Sequence, residues 1–179
     1  MASIDVVGLR KRARFAYELG RLRLSILGVV PVLLVVLAAA SVANRPASTL
    51  AFGAATILAG GALLWYGREP RKAVFPGIAA GLVPLVLSLC AGRVHTCGVN
   101  GCGTLCVPAC ALGGVVAGLA VARVAARRGL GLWFFIPASA LCLLTGAMGC
   151  ACLGYSGVVG LVVGFGAGLV PGLVRRAVG

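Results

Sequence analysis

The feature that most constrains this chain is a series of six long apolar runs, separated by short turns or basic loops. A helix needs about 20 apolar residues to cross the hydrocarbon core of a bilayer, and each run comes close to that length. Only 11% of the residues are charged, less than half of the roughly 25% usual in soluble domains. The sequence therefore predicts an all-α, polytopic transmembrane helix bundle embedded in a lipid bilayer. The predicted spans are residues 24–43, 50–66, 73–91, 105–122, 130–148 and 156–174.

The basic residues predict the orientation of this bundle. The net charge is +13, and fourteen of the sixteen basic residues fall on the N-terminal side of the six spans, against Arg45 and Arg93 on the other side. Because cytoplasmic loops carry the excess of Lys and Arg, both termini, including the short tail 175–179, are predicted to be cytoplasmic. Trp133 and Phe134, near the start of span five, are expected to act as interfacial anchors.

The kind of membrane and one class of partner also follow from the charge. Arginine greatly outnumbers lysine, as is typical of a GC-rich bacterial genome, so the predicted location is the bacterial cytoplasmic (inner) membrane. The basic residues cluster at the ends of spans, and no folded polar domain is present to carry a nucleic-acid site. No nucleic-acid partner is therefore expected.

The basic N-terminal segment, residues 1–23, is predicted to form an amphipathic cytoplasmic helix, with basic side chains on one face and apolar ones on another. Two interpretations of this helix stay open. It lies on anionic lipid headgroups, or it docks a cytoplasmic protein partner. The first interpretation assigns headgroup contacts to Arg10, Lys11, Arg12, Arg14, Arg21 and Arg23.

Small residues predict how the helices pack. Span six carries a glycine at every fourth position, and span four carries two with the same spacing. Glycine lets helix backbones approach closely in lipid, where hydrophobic burial cannot drive association. A parallel duplication of the hairpins that begin at residues 76–90 and 136–150 is a further hypothesis, and oligomer formation stays open. The predicted packing glycines are Gly114, Gly118, Gly160, Gly164, Gly168 and Gly172.

All the cysteines fall on the outer side of the predicted topology. Disulfides form and persist in the periplasm, and the even count fits pairing. The first hypothesis is therefore that disulfides staple the two outer hairpin tips, although eight cysteines allow roughly a hundred pairings. Residues two apart on a helix point in different directions, so Cys150 and Cys152 are each expected to pair with the other hairpin. The eight are Cys90, Cys97, Cys102, Cys106, Cys110, Cys142, Cys150 and Cys152.

A metal site is an alternative for part of this set. Cys102, Cys106 and Cys110 recur at every fourth residue and so share one face of a helix. Three thiolates on one face suit a soft ion such as Cu(I) or Zn²⁺, with His95 as a further candidate ligand. The spacing differs from that of zinc knuckles and of ferredoxins. Apart from such an ion no cofactor is expected, and a redox-active thiol pair is the third interpretation.

The sequence argues against an enzyme. Its only carboxylates are Asp5, Glu18 and Glu69, all on the predicted cytoplasmic side, so no acid lies within a span to relay protons. No Ser-His-Asp set, H-E-x-x-H motif or Walker loop is present. No C-x-x-C motif is present to support thiol catalysis.

Three stretches carry a resemblance to a known group. They are RKRARFAYELGRLRL near the N-terminus, LCVPAC at the start of span four and GAMGCACLGY after span five. The layout resembles the six-helix membrane anti-sigma factors of bacteria, which sequester extracytoplasmic sigma factors through a short cytoplasmic N-terminus. In that group the outer cysteines are thought to sense stress. The resemblance implies this role for Cys106 or Cys110 and for Cys150 or Cys152.

The favoured interpretation is a non-enzymatic multi-pass inner-membrane protein with a disulfide-stapled, cysteine-rich outer face and a sensory, regulatory or structural role. A thiol-based metal-binding or metal-transport protein is the first alternative. An anti-sigma-type membrane regulator is the second.

Overall fold

In the computed structural model, the described residues are 6–42, 46–66, 70–94, 103–150 and 155–178, and they form six helices. Each helix is long and apolar enough to cross a membrane. The prediction of an all-α chain with six candidate membrane spans is therefore confirmed. The helices are α1 (Val6–Val42), α2 (Pro46–Tyr66), α3 (Arg71–Val94), α4 (Gly103–Arg127), α5 (Leu132–Cys150) and α6 (Tyr155–Val178).

Helices form here because lipid offers no partner to backbone amides and carbonyls, so these groups must bond within the segment. The same rule governs the hydroxyl side chains inside the bundle. Thr56 donates to the carbonyl of Phe52 at 2.8 Å, and Thr145 donates to the carbonyl of Leu141 at 2.7 Å. Each bond runs one turn back along its own helix, which satisfies the hydroxyl without a second helix.

α5 lies at the centre of the bundle, and 67% of the residues in its span are buried. It packs along α3 on one side and along α2 on another, while α4 packs along α6 and α1 along α2. Large apolar side chains on the outside of the bundle, such as Leu58, Ile136 and Val163, are exposed as a lipid-facing surface requires. Large apolar side chains therefore cover the lipid-facing surface, and the interior combines small residues with large ones such as Leu141 and Met148.

The close contacts between glycines and neighbouring helices define the helix directions. Gly77 faces Ala138 and Gly81 faces Cys142, so α3 and α5 are parallel. Gly114 faces Leu161 and Gly172 faces Ala122, so α4 and α6 are parallel as well. The α3–α4 hairpin thus lies alongside the α5–α6 hairpin with the same direction.

The ends of the bundle differ in chemistry. Cys90, Cys110 and Cys150 lie at the end where α3 and α5 finish and α4 begins, which we call the cysteine end. The cations of α3, α4, the α4–α5 turn and α6 whose side chains are described lie at the opposite end, which we call the basic end. They are Arg71, Lys72, Arg123, Arg127, Arg128 and Arg175. That the basic end faces the cytoplasm remains a prediction from charge.

α1 is a single continuous helix of 37 residues. At 1.5 Å per residue it is about 55 Å long, whereas the bilayer core is about 30 Å thick. No break separates the described part of the N-terminal segment, residues 6–23, from the first predicted span. Every described side chain from Arg10 to Gly20 is exposed, so this part of α1 extends beyond the packed bundle.

One aromatic residue lies elsewhere than expected. Trp133 is exposed at the start of α5, as an interfacial anchor would be, but Phe134 is only 3% exposed. It packs edge-on to Phe135, with ring centroids 6.1 Å apart, inside the cluster formed by α3, α4, α5 and α6. The prediction that Phe134 is an interfacial anchor is therefore wrong, because the central position of α5 turns this side chain into the core.

Candidate functional site

The candidate site is a pair of thiols, Cys110 and Cys150, at the cysteine end. Cys110 lies in the second turn of α4, and Cys150 is the last residue of α5. Both side chains are fully buried, and they contact each other within one buried cluster. Cysteines predicted to belong to different outer hairpins thus meet side chain to side chain.

The surroundings of the pair are apolar. Ala147 and Leu161 complete the buried cluster, and Phe52 and Leu143 pack against it from the partly buried layer. Since α2, α5 and α6 all contribute to this cluster, the pair is enclosed by the bundle rather than placed on its rim. Such an environment shields both sulfurs from reagents outside the bundle.

The last turn of α5, which carries Cys150, is held by two further contacts. Thr49 of α2 donates a hydrogen bond of 3.2 Å to the carbonyl of Met148, one of the carbonyls that a helix end leaves without an intrahelical partner. Gly149 lies against Ser88 of α3, and a Cβ at this position would collide with the Ser88 Oγ. Both contacts position Cys150 opposite Cys110.

The sequence did not single out Thr49, Ser88 or Gly149. A single threonine or serine in an apolar run has no spacing or motif that marks it, and its role depends on which helices become neighbours. Gly149 had a signal, since it is a small residue next to the end of predicted span five. That signal does not show which side chain fills the space.

The other cysteines are distributed as follows. Cys142 is buried among core residues of α3, α4 and α6, and Cys90 is exposed on α3. Cys142 lies eight residues before Cys150 on the same helix, about 12 Å along its axis, which is too far for a disulfide. Cys106 belongs to α4, but its side chain lies outside the described part of the structure, as do His95, Cys97, Cys102 and Cys152 altogether.

No disulfide lies at bonding distance among the four described cysteines, which are Cys90, Cys110, Cys142 and Cys150. Neighbouring thiols such as Cys110 and Cys150 can be converted to a disulfide by an exchange reaction with an external disulfide. The geometry therefore provides the reduced partner pair for such a reaction.

The predicted metal site remains a prediction. Of its members Cys102, Cys106, Cys110 and His95, only Cys110 has a described side chain. Within the described residues, no group of three or more His, Cys, Asp or Glu side chains lies together.

Comparisons with protein-family models, with curated proteins and with solved structures found no match to this chain. The residues of the chain itself must therefore support any functional proposal.

The six glycines predicted to pack helices all lie at the contact between α4 and α6. A Cβ on Gly114 would lie 2.5 Å from the carbonyl oxygen of Leu161 and 2.8 Å from the Phe165 nitrogen. Real Cβ atoms are not found within 3.0 Å of such atoms. The other five lie against facing residues of the same pair of helices: Gly118 against Phe165, Gly160 against Val107, Gly164 against Ala111, Gly168 against Val115 and Gly172 against Ala122.

The residues predicted to contact headgroups lie on the exposed N-terminal part of α1. The side chains of Arg10, Lys11, Arg12, Arg14 and Arg23 are all exposed. Arg21 belongs to the same helix, but its side chain lies outside the described part. These positions are accessible both to lipid headgroups and to a protein.

Proposed function

We propose that this chain is a non-enzymatic multi-pass protein of the bacterial cytoplasmic membrane whose cysteine end faces the periplasm, with a disulfide between Cys110 and Cys150. The observation that carries the proposal is the buried contact between these two thiols. The role that fits such a bond is sensory or structural, because it changes which helices are held together without acting on a substrate.

The chemistry is a thiol–disulfide exchange. The two thiols lose two protons and two electrons and form one S–S bond, while a disulfide-bearing oxidant of the periplasm takes up the electrons and becomes a dithiol. Burial slows this reaction, because an external disulfide must reach one of the two sulfurs. Oxidation therefore takes place either when the cysteine end opens or while the chain is still folding.

The structural effect follows from the packing of α4 and α5. These helices are joined at the basic end by the short turn 128–131, but α4 packs mainly on α6 and α3. A Cys110–Cys150 bond would join the free ends of α4 and α5 and close a loop of about 40 residues. It would link the α4·α6 pair directly to the central helix.

The proposal is tested by alkylating intact cells and then mapping the cysteines by non-reducing mass spectrometry. We expect a crosslinked Cys110–Cys150 peptide and a reduced Cys142. Because cytoplasmic thiols are kept reduced, this crosslink would also support the predicted orientation. We expect the bond to add about 2–4 kcal/mol to the free energy of unfolding, so the wild type should lose stability when dithiothreitol is added.

Two single cysteine variants test whether the crosslink and the response to dithiothreitol come from this pair of thiols. Cys110→Ser is expected to abolish the crosslink and the response to dithiothreitol, whereas Cys142→Ser should keep both. If Cys110 and Cys150 are free in cells, the disulfide proposal is wrong. If, in addition, Cu(I) or Hg(II) protects both cysteines from alkylation, a metal-binding function replaces the disulfide proposal.

A second candidate function is suggested by the exposed part of α1. Phe15 is 69%, Tyr17 58% and Leu19 55% exposed, so large apolar side chains and cations both project from one helix beyond the bundle. A helix that docks a cytoplasmic protein needs such exposed apolar side chains and cations. The partner that we propose is an extracytoplasmic sigma factor. Anionic headgroups are the competing occupant of the same helix.

The full-length protein, tagged at its C-terminus, is expected to retain an extracytoplasmic sigma factor in a pulldown from detergent extract. Replacement of Phe15, Tyr17 and Leu19 by serine should abolish this retention. The control variant replaces Leu33, Leu34 and Leu37, which are also exposed but lie in the membrane-spanning part of α1, and should retain the factor. A wild-type protein that never enriches a sigma factor would exclude the anti-sigma function.

A further inference from the structure

A cavity of about 560 Å³ opens at the basic end, between the last turns of α4, the α4–α5 turn and α6. Among the described residues that line it, the charged ones are Arg123 of α4 and Arg175 of α6. Glu18, the only side-chain carboxylate in the described part of the chain, lies in α1 and does not line it. The cavity therefore presents two cations with no described carboxylate beside them.

The backbone of the turn keeps the cavity open. Gly129 adopts a left-handed conformation with φ of 59°, which ends α4 in a Schellman motif. The Leu130 amide donates to the Ala125 carbonyl at 3.1 Å, and the Gly129 amide donates to the Ala126 carbonyl at 3.3 Å. A Cβ at Gly129 or Gly131 would meet nothing within 4 Å, so no side chain fills this space.

The dipoles of the helices favour an anion at the same place. α5 begins at Leu132, directly after the lining residue Gly131, and the start of a helix carries a partial positive charge. Two carbonyls at the end of α4, those of Ala125 and Ala126, accept hydrogen bonds within the Schellman motif. The two arginines and the start of α5 thus supply positive charge at the cavity.

The remaining wall is apolar and lies at the depth where the spans end. Leu119, Leu130 and Pro171 line the cavity, and the two candidate spans that border it end at Arg127 and Arg175. A phosphate on the arginines would thus lie at headgroup level, and the apolar wall would continue toward the acyl chains. Arginine suits this role because its planar fork bonds two phosphate oxygens at once.

We propose that this cavity binds the phosphate group of an anionic phospholipid, held between Arg123 and Arg175. The site is separate from the exposed N-terminal part of α1 and from the thiol pair. It gives α4 and α6 a shared ligand at the end of their glycine-packed contact.

The test uses the full-length chain in a neutral detergent and native mass spectrometry with added phosphatidylglycerol or phosphatidylcholine. We expect phosphatidylglycerol to bind preferentially, and the double variant Arg123→Gln/Arg175→Gln to bind it about tenfold more weakly, since two charge-assisted contacts are lost. The matched control is Arg127→Gln/Arg128→Gln, which removes two exposed cations from the same end without touching the cavity. It should change binding less than about twofold, because neither side chain lines the cavity and more distant exposed charges are screened by salt.

A second variant tests the cavity itself. Ala126 lines the cavity and is exposed, so Ala126→Phe should fill the space while leaving both arginines and the net charge intact. Binding of phosphatidylglycerol should fall although the melting temperature is unchanged.

Three outcomes would overturn the proposal. The first is equal binding of the two lipids, and the second is an equal loss of binding in both arginine double variants, which would show a diffuse charge effect. In the third, sn-glycerol 3-phosphate competes as well as the lipid does, which would assign the cavity to a soluble phosphate compound.

Discussion

Replacement of Gly164 by leucine is expected to be the most damaging single change in this protein. A Cβ at this position would collide with the carbonyl oxygen of Ala111 and lie 2.8 Å from its carbonyl carbon and 3.0 Å from its Cα. These are backbone atoms, so no side-chain rotation can relieve the collision and α4 must move away from α6. We expect a loss of about 3 kcal/mol of stability, at the upper end of the usual range for overpacking.

The matched control is two residues away on the same helix. Gly166 is exposed, and a Cβ there would meet nothing within 4 Å. Gly166→Leu should therefore fold with unchanged or slightly higher stability, since leucine is a better helix former than glycine. Thermal unfolding in detergent, followed by size-exclusion chromatography, measures both variants. Equal melting temperatures for the two would show that the α4·α6 contact does not depend on bare glycine.

Replacement of Gly81 by alanine is also expected to destabilise the protein, although it adds only one methyl group. The new Cβ would lie 2.6 Å from the Cβ of Thr145 and 2.7 Å from the carbonyl oxygen of Cys142, both on α5. Because α5 is enclosed by its neighbours, it cannot shift without disturbing other contacts. We expect a loss of about 1–2 kcal/mol.

Gly61→Ala is the control for this change. It makes the same substitution inside a helix, but its Cβ would be 3.9 Å from the nearest atom, a methyl group of Val29, an ordinary van der Waals contact. The gain in helix propensity, up to about 1 kcal/mol, is common to both positions, so their difference isolates the contact of α3 with α5. A more stable Gly81→Ala protein would contradict the close approach of these helices.

Much of the architecture can be read from apolar run length alone. A stretch of about 20 apolar residues has one low-energy conformation in lipid, so the six helices appear in the sequence independently of their neighbours. The helices extend a few residues past the predicted spans, α4 to Arg127 and α6 to Val178, because a helix does not have to end where its apolar run does.

The candidate site could be predicted only in part. The prediction that cysteines of the two outer hairpins face each other depends on topology, and Cys110 and Cys150 do meet. Which of the many pairings occurs depends on how α4 and α5 are rotated about their axes. The cavity between Arg123 and Arg175 could not be foreseen, because those arginines are far apart in sequence and appear only as topology signals.

The sequence by itself determined the number of helices, their lipid-facing character and the segregation of basic residues from cysteines. These properties depend on composition and order within each run, and lipid imposes them one helix at a time. Only the tertiary structure decided that α5 lies at the centre, that α3 pairs with α5 and α4 with α6, and that one thiol pair is buried. The physical reason is that the spans are similar mixtures of Gly, Ala, Leu and Val, so the choice of neighbour depends on close contacts between particular small residues.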